Sequence, residues 1–320
     1  GGSRGAPRGV RSPAVVCSAK RFGKSQAKAE KMGLANRTDP RFILDRTREV
    51  RQVQDHPIYA GMMAALDDAV GLVLEAVAES GEADNTIIIF TSDNGGVSSG
   101  DGFATSALPM RGGKGRQWEG GIRQPYYILW PGVTNGSTTD VLATGMDFYP
   151  TILEIAGLPA MPQQHLDGVS LVPVLKGETT ETERQLFWHY PHYGNQGGEP
   201  SAIMIEKNWK LIHYFEDGRN ELYNLKRDEG EQNDVSEARL GRAKRMGNLT
   251  QAWLSEVGAV RPSENPNYDD AAYKKSLVTL EEKGIPNRNK QHAAFMKSDY
   301  VPRGGWWDKR AAPKKPKIKD

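Results

Sequence analysis

The sequence predicts an α/β protein in which part of a mixed sheet is flanked by helices, and a smaller C-terminal antiparallel sheet packs on a helix. Apolar residues recur at steps of three and four from Ile58 to Val77, which is the pattern of an amphipathic helix that ends near Ser80. Residues 86–91 then form a continuous, mostly β-branched run, typical of a strand buried on both faces of a parallel sheet. A helix followed by such a strand is half of an α/β unit.

The later part of the chain has a different pattern. A second strand is predicted at residues 126–130 and a second helix at about residues 147–156, where Gly157 and Pro159 end it. Beyond residue 180, polar turns separate short alternating apolar segments at 202–205, 209–215 and 221–225. These segments predict an antiparallel meander, with a helix at about residues 237–257 packed on it.

Four segments follow from these patterns. We predict a poorly ordered basic lead-in at residues 1–45, part of the α/β domain at 46–180, an antiparallel-sheet subdomain at 181–300 and a basic tail at 301–320. The lead-in shows little hydrophobic periodicity from which to build a core. Because the first residue is Gly1 and not Met, we expect a truncated or processed chain.

The composition excludes several classes of protein. The 42 Lys and Arg residues nearly balance the 40 Asp and Glu residues, so the net charge of +2 creates no global field for nucleic acid, and we expect no such partner. No stretch approaches the roughly 20 apolar residues that a membrane span needs. The single cysteine, Cys17, excludes an internal disulfide framework.

A candidate metal site directly follows the first predicted strand. Asp93 and Asn94 would lie at the carboxyl end of that strand, where open α/β sheets place their ligands. Two adjacent oxygen donors suit Ca²⁺ or Mg²⁺, and Gly95 and Gly96 let the backbone turn away behind them. The alternative is that these four residues form an ordinary turn.

The second candidate is a glycine-rich loop at residues 108–125, which contains Lys114. Such a loop can bring an ammonium and several backbone N–H groups to a tetrahedral oxyanion. It is not a nucleotide-binding P-loop, because the glycine spacing differs and no Ser or Thr follows Lys114. A flexible, solvated basic loop is the alternative.

Together these motifs resemble the arylsulfatase-type, formylglycine-dependent sulfatases of the alkaline-phosphatase superfamily. The resemblance covers roughly residues 50–270 and is carried by LDDAVG at 66–71, SDNGG at 92–96, RGGKG at 111–115, EGGIRQP at 119–125, DFYPT at 147–151, LDGVSL at 166–171 and ELYNL at 221–225. It implies an alkaline-phosphatase-like mixed sheet. It also implies that Asp93 and Asn94 bind a divalent cation, usually calcium with Mg²⁺ as the alternative, and that Lys114 is a catalytic residue that contacts the sulfate.

Other parts of the family pattern are expected outside this sequence. The family carries a formylglycine nucleophile, made from the cysteine of a Cys-x-Pro-x-Arg or Cys-x-Ala-x-Arg motif, and paired aspartates that complete the metal site. Residues 17–21 fit Cys-x-Ala-x-Arg, but the residues after them do not continue the pattern, so we interpret Cys17 as a chance match. We therefore interpret the chain as the C-terminal portion of a sulfatase, inactive alone.

Three further predictions concern residues around these motifs. Glu119 and Arg123 are expected to fix the glycine-rich loop, by ion pairs or hydrogen bonds, instead of touching substrate. Residues 188–198 combine aromatic residues, two histidines and glycines, which suits a sugar-binding rim. Within this rim we assign His192 to substrate binding, whereas His189 fits a structural role equally well.

The leading hypothesis is a sulfuric ester hydrolase that acts on a sulfated carbohydrate. One alternative is a phosphate or phosphonate ester hydrolase of the same superfamily, and another is a non-catalytic protein that binds an anionic polysaccharide. By resemblance alone, we expect a periplasmic, secreted or lysosome-like location.

Overall fold

The computed structural model describes residues 40–178, 184–297 and 299–300, together with Lys24, Ala27 and Lys31. Cys17 and the basic tail lie outside the described residues. The described chain divides into two compact units, one with residues 55–69 and 287–300, the other with residues 40–54 and 70–286. The four segments predicted from the sequence stay a prediction.

The first unit holds the start of helix α1 (Pro57–Glu79) and most of the last helix of the described chain (Ile285–Phe295). Within this unit, Nε2 of His292 lies 3.3 Å from a carboxylate oxygen of Asp55, and both side chains are buried. The bounds of α1 confirm the helix predicted from the apolar spacing. Its proline at the first helical position has no N–H to leave unsatisfied.

The second unit begins with a hairpin of two strands, β1 (Phe42–Asp45) and β2 (Arg48–Arg51), which pair antiparallel. Arg46, in the turn between them, has a positive φ of 60°. Residues 42–45, which the sequence prediction assigned to the lead-in, therefore form a strand, and Phe42 is buried with its ring edge against Phe103.

The predicted mixed α/β fold is confirmed, but the parallel pairing that the β-branched run at residues 86–91 suggested is not observed. Strand β3 (Ile88–Thr91) pairs with β4 (Tyr126–Leu129), but the pairing is antiparallel. The connection between them holds only the four-residue helix α2 (Glu119–Ile122), so no long crossover helix returns the chain to the same end of the sheet. The pair is not buried on both faces either, because Phe90 and Tyr127 are exposed.

Two short helices follow β4. Helix α3 (Phe148–Ile155) confirms the predicted second helix, and α4 (Val172–Leu175) lies after it. The turn before α3 is fixed by Asp147, whose buried carboxylate accepts hydrogen bonds from the backbone of Thr144 at 2.7 Å and from Arg184 at 2.8 Å. Asp147 is the third residue of a 3-10 turn (Gly145–Asp147), and its carboxylate forms a capping box with Thr144 at the start of that turn.

The C-terminal sheet confirms the predicted meander and adds one strand to it. Its strands are β5 (Gln185–Tyr190), β6 (Ser201–Glu206), β7 (Trp209–Tyr214) and β8 (Asn220–Asn224), all antiparallel and in sequence order. Strand β5 was missed because its aromatic residues were assigned to the substrate rim.

The two faces of this sheet have different partners. On one face, helix α5 (Leu240–Glu256) packs Ala243 and Met246 against Met204, Leu211 and Leu222, as the sequence predicted. On the other face, Trp118 of the glycine-rich loop packs in a buried cluster. Its other buried members are Leu186, Ile203, Ile205, Ile212, Tyr214 and Tyr223. The alternation of side chains along each strand thus places the glycine-rich loop opposite helix α5.

A buried ammonium joins the glycine-rich loop to the sheet. Nζ of Lys210, on β7, lies 3.1 Å from a carboxylate oxygen of Glu119 and 2.8 Å from one of Glu231, and the Lys210 and Glu231 side chains are fully buried. Glu231 also accepts a 2.6 Å hydrogen bond from the backbone N–H of Glu119, where α2 begins. One cation therefore compensates two carboxylates that would otherwise be unpaired.

A continuous helical segment lies near the end of the described chain. Helix α6 (Asp270–Thr279) continues through a π-helical turn (Leu280–Gly284) into α7 (Ile285–Phe295). None of the helices in the described ranges combines the length and the apolar character needed to cross a bilayer.

Replacing Lys210 by Met is expected to lower the free energy of unfolding by about 3–5 kcal/mol at pH 8, because two buried carboxylates lose their shared ammonium. This loss should shrink at pH 5. Burial raises the pKa of Glu231 in the folded protein, and a carboxyl with a raised folded pKa stabilises the fold at low pH and loses that contribution as the pH rises. Urea unfolding at the two pH values measures both effects.

Lys274→Met is the matched control. The Lys274 side chain is 72% exposed and its ammonium lies 2.7 Å from Asp270, one helical turn earlier. Exposed ion pairs of this kind contribute little, so the unfolding free energy should hardly change. Equal losses in the two variants would contradict the importance of the buried ammonium.

Candidate functional site

The predicted metal-binding residues lie just beyond the end of β3. The Thr91 hydroxyl donates to the Pro125 carbonyl at 2.9 Å, and the Ser92 hydroxyl donates to the Asn94 carbonyl at 3.1 Å. These bonds fix the backbone on both sides of Asp93. Asp93 is exposed and Asn94 half-buried, and neither side chain has a hydrogen-bond or ion-pair partner among the described residues.

The strand end and the glycine-rich loop are joined backbone to backbone. The Gly95 N–H donates to the Gly121 carbonyl at 2.9 Å, and the Lys114 N–H donates to the Gly96 carbonyl at 2.8 Å. A Cβ added at Gly95 would collide with the carbonyl of Gly120, so this close approach requires glycine. The backbone segments that carry Asp93, Asn94 and Lys114 are therefore direct neighbours.

The glycine-rich loop contains Trp118, whose side chain is completely buried. The guanidinium groups of Arg111 and Arg116 lie 3.9 and 4.8 Å from the centroid of its ring. Both arginines also reach Asp45, at 2.7 and 3.1 Å. Burial lowers the pKa of Arg116, which the negative charge of Asp45 opposes. These contacts hold the loop in one conformation, so it is not the flexible, solvated loop of the alternative interpretation.

The prediction that Glu119 fixes the loop is confirmed by its pair with Lys210. Arg123 also pairs within the protein, because its Nη1 lies 3.1 Å from Glu229. Both side chains of this second pair are about half-exposed, so the pair stabilises the loop less than the buried pair of Glu119 and Lys210 does.

Lys114 differs from the arginines of the same loop. Arg111, Arg116 and Arg123 all form ion pairs, whereas the half-buried side chain of Lys114 has no partner in the described part of the chain. Its backbone is nevertheless held by the bond to Gly96. An ammonium on a fixed backbone and without an internal counter-ion is suited to bind an anion.

The predicted sugar-binding rim packs against the residue that follows Lys114. The Ser99 hydroxyl donates to the Gln196 carbonyl at 2.6 Å, and Asp101 accepts hydrogen bonds from the Asn195 and Gln196 side chains at 3.2 and 2.6 Å. A Cβ at Gly198 would collide with the Gly115 carbonyl. We call residues 190–198 the rim loop; its backbone borders the Lys114 segment.

The two histidines of the rim differ in environment. His192 is exposed, and its ring lies 4.1 Å from the ring of Tyr190. His189 packs edge-on against Phe215, and its buried Nε2 has no hydrogen-bond partner in the described chain. Burial lowers the pKa of His189, and the charges of Arg261 and His192 lower it further. His189 is therefore a neutral, packed histidine at neutral pH.

Asp93 and Asn94 are the candidate metal ligands predicted from the sequence. In the ranges that the structure describes, no group of three or more His, Cys, Asp and Glu side chains is arranged to hold a metal ion. Asp93 and Asn94 together offer one carboxylate and one amide oxygen, which are the donors that Ca²⁺ accepts in proteins.

Residues that the sequence did not reveal hold the site in place. Asp45, Lys210 and Glu231 each contact the glycine-rich loop from a position distant in sequence, and no local motif marks them. The one sequence feature that could have indicated this ion-pair network is Lys210, a lysine within an apolar strand segment. A lysine is rarely buried unless it is paired.

Comparison with known families and curated proteins identifies relatives. A family model described as Sulfatase matches residues 12–158, and one described as N-sulphoglucosamine sulphohydrolase, C-terminal, matches residues 114–251. A sulfatase from Formosa agariphila is 36% identical over 226 residues, which are 63% of this chain and 40% of that protein. Arylsulfatase A from Homo sapiens is 34% identical over 160 residues, 50% of this chain and 31% of that protein. The chain thus spans 40% or less of the length of each of these two relatives.

The comparison with solved structures agrees with the comparison with curated proteins. A protein in complex with its substrate D-glucosamine-2-N,6-O-disulfate aligns with a TM-score of 0.50 and 27% identity, over 63% of this chain and 40% of that one. The structure of Ps i-CgsB in complex with k-i-k-neocarrahexaose aligns with a TM-score of 0.55 and 23% identity, over 86% of this chain and 61% of that one, which supports the fold alone. The chain is therefore similar to sulfatases over residues 12–251 and has an alkaline-phosphatase-like fold, as the sequence resemblance predicted.

Proposed function

We propose that the complete protein hydrolyses sulfate esters of a carbohydrate. The observation that carries this proposal is the backbone pairing between the strand end and the glycine-rich loop. This pairing makes the backbone segments that carry Asp93, Asn94 and Lys114 direct neighbours, and none of the three side chains has a partner among the described residues. A doubly charged tetrahedral group bound to a metal and a lysine would use all three side chains.

In this proposal, Lys114 binds the sulfate group and stabilises the negative charge that develops on its oxygens during ester cleavage. Lysine suits the role because its ammonium is a compact point charge with three donors. The fixed backbone of the loop holds the Cα of Lys114 in place before substrate arrives, so only the lysine side chain has to adjust to the sulfate.

Asp93 and Asn94 would bind a divalent cation, which we propose to be calcium. When bound, such a cation withdraws charge from the sulfate oxygens. The donor set fits calcium because both ligand atoms are hard oxygens, and the exposed carboxylate is free to accept the ion. The resemblance to formylglycine-dependent sulfatases adds a formylglycine nucleophile, which we assign to no described residue.

His192 would contact the sugar that carries the sulfate. It is exposed on the rim loop, which borders Gly115 and hence the Lys114 segment. A sulfated glucosamine is the substrate of one related structure, which supports a sulfated sugar as the substrate class here. By the same resemblance we propose a periplasmic, secreted or lysosome-like location.

The first test is an assay of the complete protein. It should hydrolyse an aryl sulfate and sulfated oligosaccharides faster than the matching phosphate or phosphonate esters. Preferential turnover of the phosphorus esters would replace this proposal with the alternative hydrolase. Salt-sensitive binding of sulfated polysaccharides without any turnover would favour a non-catalytic binding protein.

Lys114→Ala in the active protein is expected to lower kcat/KM for a sulfate ester by roughly a hundredfold or more, because a charge aimed at the transition state is lost. Lys226→Ala, which removes an exposed lysine beyond β8, is the control and should leave kcat/KM unchanged. Similar losses in both variants would refute a specific role for Lys114.

Asp93→Ala is expected to abolish stabilisation by calcium. Calcium should raise the Tm of the complete protein and EDTA should reverse the shift, because an ion that binds only the folded state stabilises it. Thermal melts over a calcium titration measure the shift, and Asp84→Ala, which alters an exposed turn, is the control. A full calcium shift in Asp93→Ala would refute its assignment as a ligand.

A further inference from the structure

The hairpin of β1 and β2 carries one arginine that has no counter-ion among the described residues. Arg48 is the first residue of β2, its side chain is half-buried, and no carboxylate of the described ranges pairs with it. Arg46, two positions earlier, instead lies 2.6 Å from Glu199 and 3.0 Å from Glu221. Arg48 is therefore an uncompensated cation, as Lys114 is.

Arg48 projects from the face of the hairpin that holds the glycine-rich loop. It is paired across the hairpin with Asp45, and directly opposite residues of an antiparallel pair have their side chains on the same face. One carboxylate oxygen of Asp45 lies 2.7 Å from Arg111, and the other lies 3.1 Å from Arg116. Both oxygens of Asp45 are thus engaged by the loop, which leaves Arg48 unpaired.

The aliphatic stem of Arg48 packs against the rim loop. A Cβ added at Gly197 would lie only 2.7 Å from Cγ of Arg48. Gly197 has a φ of 93°, which favours glycine, and its carbonyl accepts a 3.0 Å hydrogen bond from the Thr47 hydroxyl. This contact restricts the stem, and a long charged side chain packed in this way keeps its charged end towards water.

A short segment of the rim loop separates Arg48 from the Lys114 segment. Gly197 contacts the Arg48 stem, and a Cβ added at the next residue, Gly198, would lie 2.1 Å from the carbonyl oxygen of Gly115. Gly115 directly follows Lys114. Because consecutive Cα atoms are about 3.8 Å apart, Arg48 and the Lys114 segment flank a single pair of glycines.

This arrangement favours a ligand with two anionic groups. A single anion bound at Lys114 would leave the charge of Arg48 uncompensated, whereas a second anion on the same ligand would complement it. A guanidinium suits this task because its planar fork can donate two parallel hydrogen bonds to a sulfate or a carboxylate.

We propose that Arg48 binds a second anionic group, a sulfate or a carboxylate, on the sugar that adjoins the unit whose sulfate is held by Lys114. Arg48 thereby selects saccharides that carry charge on both units. Only the link to the sulfate at Lys114 rests on the proposed function; the anion site at Arg48 rests on the hairpin and the rim loop.

The test is calorimetric titration of the complete protein with two matched pairs of disaccharides. κ-Neocarrabiose sulfate carries one sulfate, and ι-neocarrabiose sulfate adds a second on the adjoining sugar. A heparan disaccharide with one sulfate on its glucosamine is compared with the same molecule after reduction of its uronate to a neutral sugar. Asp93→Ala is present throughout to prevent turnover. In at least one pair, the doubly anionic member should bind about tenfold more tightly.

Three variants isolate the charge of Arg48. Arg48→Met keeps much of the stem on Gly197, so the Kd of the doubly anionic member should rise about tenfold while that of the singly anionic member stays nearly unchanged. Arg48→Lys should lose less, because a point charge remains. Arg227→Ala, which removes an exposed arginine beyond β8, is the control and should change neither Kd.

The pair that responds tells a second sulfate from a carboxylate. Failure of every probe to bind, equal Kd values within both pairs, an equal loss for both members in Arg48→Met, or a selective loss in Arg227→Ala would overturn the proposal.

This result is separable from the test of the proposed function. A selective loss in Arg48→Met, in a complete protein that does not hydrolyse sulfate esters when Asp93 is intact, would support the Arg48 site and refute the sulfatase proposal. Turnover of an aryl sulfate, together with equal binding of both members of each pair, would do the reverse.

Discussion

The structure of the site depends on one buried ammonium, that of Lys210. It lies on a strand of the C-terminal sheet and reaches across to Glu119, at the first turn of α2, and to Glu231. A buried charge is tolerated only when its partners are in place, so the arrangement is all-or-none. The neighbouring residues on the same face of β7, Ile212 and Tyr214, pack with Trp118. The glycine-rich loop is thus fixed to the sheet by one charge network and one apolar cluster, and the two lie side by side.

A loop fixed in this way can leave its functional groups unpaired. The backbone contacts between the strand end and the loop determine the separation of Lys114 and Asp93 without using either side chain. The arginines of the loop serve the scaffold, where their planar guanidinium groups pair with Asp45 while lying over Trp118. Lysine and arginine therefore have separate tasks within one short segment. The distinction follows from geometry, since stacking and bidentate pairing suit arginine better than lysine.

The sequence predicted what local periodicity and local chemistry determine. Helix α1, helix α3, the meander and helix α5 each follow from a spacing of apolar residues within one short window. The direction of β4 relative to β3 does not follow from such a local pattern, because it depends on how the intervening loop folds. The partners of Arg111 and Glu119 lie 66 and 112 positions away, so no window contains both members. The candidate site residues could be predicted because they occur in short motifs. The residues that hold these motifs in place could not be predicted, because they lie far away in the sequence.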